Sequence, residues 1–136
     1  MGLLYPEESY IIRGVAFEIY KQFRNRHKET VYHNAFYIGL KRKGLKPEKK
    51  RRINIYYDGE KVGVYEPDML VNDSILIELK AKPKVTQEDV SQFWHYLKCS
   101  KYRVGFLINF GASNGVEIIR KVYDTARKLQ VQRSSA

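Results

Sequence analysis

Between Pro6 and Phe23, apolar residues recur at helical spacing: Ile12, Val15, Ala16, Ile19 and Phe23, with Arg13, Glu18 and Lys21 elsewhere around the cylinder. A period near 3.6 puts such positions on one face, so the spacing predicts an amphipathic helix over about 6–23. Asn25 to Lys28 is a polar break. A second stripe, Tyr32, Ala35, Phe36, Gly39 and Leu40, predicts a helix over about 29–43. Gly44 ends it and Pro47 prevents its return. The period then drops to two. Ile53, Ile55 and Tyr57 alternate with Asn54 and Tyr56, and Asp58-Gly59 is a hairpin turn signal. The partner strand runs from about Lys61 through Tyr65, with room to continue to Leu70. Ser74 to Lys80 is rich in β-branched and large apolar residues and predicts a third strand, completing a meander.

Pro83 closes that strand, and Thr86 with Asp89 has the spacing of a capping box. The helix it opens runs to about Lys98 on a stripe of Val90, Phe93, Trp94 and Leu97. Tyr102 to Phe110 is nearly continuous apolar sequence, the pattern of a strand buried on both faces and parallel to a neighbour. After a loop over 111–115, residues 116–123 fit a strand or a helix; we read them as a strand running into a short helical tail. Residues 130–136 are expected to fray. The expected order is helix-helix-strand-strand-strand-helix-strand-strand. That order makes an α/β chain, read as one domain over 1–136.

Charge narrows the partners. The 136 residues carry 25 Lys and Arg against 15 Asp and Glu, a formal net charge of +10. This favours polyanions, nucleic acid first and an anionic membrane surface second. The cations concentrate in Lys41, Arg42, Lys43, Lys46, Lys49, Lys50, Arg51 and Arg52. Such a run is either a phosphate-backbone patch or a solvated loop. The single cysteine, Cys99, excludes an intrachain disulfide and a Cys-based zinc site, and it fits a reducing cytoplasm. No apolar run is long enough for a membrane span or a secretory leader. His27, His33 and His95 lack metal-ligand spacing.

Candidate chemistry lies in Tyr65 to Lys80, YEPDMLVNDSILIELK. On a strand, Glu78 and Lys80 share a face with Leu76, roughly 6–7 Å apart, while Ile75, Ile77 and Leu79 face the other way. A turn at Val71-Asn72-Asp73-Ser74 could bring Asp68 beside Glu78. Two carboxylates and an ammonium at a strand end suit divalent-metal hydrolysis of a phosphodiester. The alternative is a solvated salt-bridging pair. Glu29 shares the Tyr32 stripe one turn earlier, either as part of a site or as a first-turn acid complementing the helix dipole. Gln92 and Tyr96 lie four apart beside the third helix's apolar stripe, positioned to support a site or to form ordinary surface.

The order of elements together with Pro67-Asp68 and Glu78-Leu79-Lys80 resembles the PD-(D/E)XK nuclease superfamily. More narrowly, the chain resembles the family called GxxExxY. The resembling pieces are Glu29-Thr30-Val31-Tyr32, Pro67-Asp68-Met69-Leu70, Ile77-Glu78-Leu79-Lys80, Gln92 with Tyr96, and Gly105 to Phe110. They spread over roughly 11–123; the glycine of the family's name corresponds to Arg26. The resemblance implies a restriction-endonuclease-like α/β core, a mixed central sheet flanked by helices, and a Mg²⁺ site, with Mn²⁺ able to substitute. Asp68 and Glu78 would be metal ligands and Glu29 an accessory ligand. Lys80 would serve the attacking water or the transition state, and Gln92 and Tyr96 would support the site. The expected function is a metal-dependent nuclease acting on DNA. A nucleic-acid-binding module on the same fold, inactive alone or dependent on a partner, is the second reading, and a protein-interaction subunit the third. A homodimer is compatible with these readings.

Overall fold

The computed structural model describes residues 4–123. Helices α1 (Pro6–Phe23) and α2 (Glu29–Arg42) come first, followed by β1 (Pro47–Glu48), β2 (Ile53–Tyr57), β3 (Glu60–Tyr65), β4 (Met69–Val71) and β5 (Ile75–Lys80). Helix α3 (Gln87–Cys99), β6 (Val104–Asn109) and β7 (Glu117–Val122) complete the described residues. The main sheet has the order β1-β4-β5-β6-β7, and β2 and β3 form a separate antiparallel ribbon.

The expected class of architecture holds: a mixed central sheet flanked by helices. The expected meander does not. The hairpin β2–β3 forms at Asp58-Gly59, both with positive φ, as a two-residue turn of this hand requires. It then leaves the sheet rather than feeding β4. Pro67, buried between β3 and β4, has no N–H to donate to a ladder, and the chain breaks there. Asn72 and Asp73, again both with positive φ, make the turn that pairs β4 with β5.

β5 and β6 are parallel, from Ile75 opposite Val104 to Lys80 opposite Asn109. Parallel neighbours need a crossover, and α3 provides it, opened by the Thr86–Asp89 capping box. Residues 117–122 settle as a strand, antiparallel to β6. The helical tail and the frayed end expected beyond it lie outside the described residues.

Alternation along β5 divides the core. Ile75, Ile77 and Leu79 join Val104, Phe106 and Ile108 under α1 and α2, packing on Ile12, Val15, Tyr32, Phe36 and Leu40. Leu76, on the other face, packs with Leu70, Leu97, Tyr65 and Tyr102, covered by α3 and the β2–β3 ribbon. Close approach of α3 depends on Gly105, where an added Cβ would lie 2.6 Å from the Phe93 ring. Glu78 and Lys80 therefore emerge at the end of β5 beneath α3, on a floor that is dry further back. No helix among the described residues is long and apolar enough to cross a membrane.

Candidate active site

The β4–β5 register sets Met69 opposite Ile77, which puts Asp68 beside Glu78. The backbone N–H of Leu79 donates to Asp68 Oδ2 at 2.7 Å, and the N–H of Asp68 donates to Glu78 Oε1 at 3.2 Å. Each carboxylate is thus oriented by the other's strand. Tyr65 Oη donates to the same Glu78 Oε1 at 2.7 Å. Tyr96 of α3 stacks flat on the Tyr65 ring, with centroids 4.1 Å apart, so it reaches Glu78 through Tyr65.

Among the described residues, no hydrogen bond occupies Asp68 Oδ1 or Glu78 Oε2. Burial pushes the Glu78 carboxyl up to about 7, and the neighbouring Asp68 pushes it further in that direction. Asp68 is also raised, chiefly by burial, with the Leu79 N–H and His33 opposing. The Lys80 charge lowers both. Lys80 Nζ itself lies 3.9 Å from Asp89 Oδ1 in the first turn of α3. Asp89 is held ionised, lowered to about 2, first by the Lys82 ammonium at 2.8 Å.

Glu29 opens α2 with its side chain 53% exposed, and His33 stands between it and Asp68. His33 Nε2 is 3.4 Å from Glu29 Oε2 and 3.7 Å from Asp68 Oδ2, buried and hydrogen-bonded to neither. His33 was not distinguished from the other histidines by sequence reasoning. Its four-residue spacing from Glu29 on one helix face was the available signal. Tyr65 was missed as well, because its reach to Glu78 depends on where the ribbon leaves the sheet. Gln92 is exposed on α3 and forms no hydrogen bond with the cluster.

The basic stretch lies elsewhere. Lys46 pairs through its backbone with Asn72, and Arg51 bridges Glu48 and Asp73 at 2.8 and 3.4 Å. Lys49 and Lys41 sit over the Tyr37 ring at 4.4 and 5.4 Å, and Lys43 faces Glu18. Lys50, Arg42 and Arg52 are exposed. The structure brings Glu29, Asp68, Glu78 and Lys80 to one end of β5. It puts Arg51 and Lys46 near the other end, ~17 Å away along a six-residue strand.

The profile of the PD-(D/E)XK nuclease superfamily matches residues 6–122. The chain belongs to that superfamily. No curated protein matches it. Among solved structures, an alkaline exonuclease from Laribacter hongkongensis is similar in fold, with a TM-score of 0.51 and 14% identity. The similarity covers 98% of this chain and 77% of that one.

Divalent metal is the cofactor to test against this PD-(D/E)XK site. Among the described residues, no three His, Cys, Asp or Glu side chains form a ready cage. Two adjacent carboxylates, each with one oxygen committed to the fold and one uncommitted, fit Mg²⁺. This ion keeps several waters and needs only one or two protein carboxylates besides substrate.

Proposed function

We propose that the protein is a Mg²⁺-dependent nuclease that hydrolyses phosphodiester bonds in DNA. The observation that carries this reading is the half-buried Asp68–Glu78 pair, with an uncommitted oxygen on each and the Lys80 charge acting on both. Asp68 and Glu78 are the residues that would hold the ion, with Glu29 as accessory ligand and Mn²⁺ as a substitute. Bound there, it would screen phosphate charge and acidify water. The chain's own groups do the rest. The Leu79 N–H and Tyr65 hydroxyl fix the two carboxylates in place, and the Tyr65–Tyr96 stack holds the hydroxyl. Lys80 offers a positive charge toward the phosphorus oxygens as negative charge develops on them. Lys41, Arg42, Lys43, Lys46, Lys49, Lys50, Arg51 and Arg52 contact phosphates away from the reacting bond, adding salt-sensitive affinity. Gln92 is kept only as a residue that substrate could reach.

The segment around Glu29 supports placing the chain in the GxxExxY family, since Glu29 approaches Asp68 through His33. The same reading makes it a cytoplasmic protein, with a homodimer as the way to address two strands. The test is incubation of plasmid, linear and branched DNA with the full chain and Mg²⁺ or Mn²⁺. Metal-dependent cleavage lost in Asp68→Asn and Glu78→Gln is the expected result. A folded protein that cleaves no nucleic acid with either metal would sink the proposal.

A further inference from the structure

Two cavities of about 560 and 440 Å³ adjoin between the β2–β3 ribbon and the C-terminal end of α3, sharing Tyr56 and Cys99 as a common wall. No carboxylate lines either one. Arg51, on the rim, is already paired with Glu48 and Asp73. Arg52, Lys98 and Lys101 have no carboxylate within 4 Å among the described residues. Lys98 rests over the Trp94 ring at 5.7 Å and Lys101 over Tyr102 at 5.4 Å. Ring contacts steady the ammonium groups without neutralising them. Tyr56 projects between these cations, 61% exposed. A large aromatic left in water on a ribbon is costly, and here it is framed by unpaired positive charge.

We propose that this groove binds a single-stranded stretch of nucleic acid, with a base stacked on Tyr56 and phosphates held by Arg52, Lys98 and Lys101. Concavity, an exposed ring and interleaved cations are the features of single-strand recognition, whereas a duplex hides its base faces. The groove meets the main sheet where Tyr102 Oη donates to Asp73 Oδ1 at 3.1 Å, at the opposite end of β5 from Lys80. On its other side the groove is lined by Ile53, which pairs with Tyr65, whose hydroxyl reaches Glu78. The proposal rests on the nuclease reading for its substrate class and sharpens it. The preferred substrate carries an unpaired segment, a flap, overhang or branch, near the reacting phosphate.

The test is fluorescence anisotropy of the full chain in EDTA, with a labelled oligothymidylate 20-mer and a 20-base-pair duplex. Tyr56→Ala should weaken single-strand binding by about 5- to 100-fold, the range for losing one stacked base, and Tyr56→Phe should restore it. Lys98→Ala combined with Lys101→Ala should flatten the single-strand log–log salt slope by ~1.4, at ~0.7 per contact. Duplex affinity should change less than twofold in each, with unfolding temperatures unaltered. Equal weakening of both ligands, no weakening of either, or equally tight capture of polyglutamate would each overturn the groove. Cleavage assays keep the two proposals apart. Metal-dependent cleavage with groove variants that bind normally removes the groove alone. Groove-dependent single-strand binding by a folded protein that never cleaves removes the nuclease reading and leaves the groove.

Discussion

Two polar clusters sit side by side at the end of the sheet, and they are built on opposite terms. Asn109, fully buried on β6 opposite Lys80, is completely satisfied. Its Oδ1 accepts from the N–H groups of Lys82 and Gly111, and its Nδ2 donates to the Lys82 carbonyl and to Glu117 Oε1. The same Glu117 oxygen accepts from the Val85 N–H, tying the segment after β5 to both neighbouring strands. One strand away, Asp68 and Glu78 bring like charges together in a half-buried place, each with an idle oxygen. A satisfied network holds the fold; two raised carboxylates weaken it unless a cation joins them. The contrast separates scaffold from chemistry without reference to either residue's identity.

The sharpest way to break the contrast is Lys80→Ala. Under the proposed role, turnover falls by roughly 10²–10³, while metal and DNA binding stay nearly normal. Single-turnover cleavage at saturating metal measures it, and added Mn²⁺ should not restore the rate. Full activity, or complete rescue by metal, removes Lys80 from the chemistry. Asn109→Ala should behave in the opposite way. It strands the Lys82 and Gly111 backbone groups and should cost about 2–4 kcal/mol in chemical denaturation. An Asn109→Ala protein as stable as wild type would mean that the second cluster is not structural. Tyr65→Phe tests the join between the two regimes. Loss of the hydroxyl that orients Glu78 should weaken metal binding by roughly 10–100-fold, read by calorimetry, with the Tyr96 stack and the fold retained. Unchanged affinity would reduce Tyr65 to packing.

Much of this was legible from residue patterns. The helical stripes, both glycine- or Asx-type turns, the Thr86–Asp89 cap and the period-two faces of β5 report local physics, and they place Glu78 and Lys80 correctly on one face. Asp68 followed because a four-residue turn leaves few registers. What escaped depends on long-range placement. The ribbon's departure at Pro67 decides that Tyr65 meets Glu78. The crossover by α3 decides that Asp89 meets Lys80 and Lys82. The packing of α2 on β5 brings His33 to Asp68. The basic stretch was visible as charge, but its position at the far end of β5 was not, since loop sequence does not encode which strand end it will border.

The central claim is that Asp68 and Glu78 form a site that needs a cation, and thermal unfolding across pH 5 to 8 with and without Mg²⁺ tests it most directly. In the metal-free folded protein Glu78 holds its proton up to about 7, while in the unfolded chain it releases it near 4.5. The folded state therefore binds more protons in that window, and stability falls as pH rises through it. Relative to Glu78→Gln, which cannot titrate, the wild-type protein should lose on the order of 2–3 kcal/mol between pH 5 and 8. Saturating Mg²⁺ at pH 8 should return about that much to the wild type and nothing to Glu78→Gln. Parallel pH profiles for the two proteins, or equal stabilisation of both by Mg²⁺, would contradict the account.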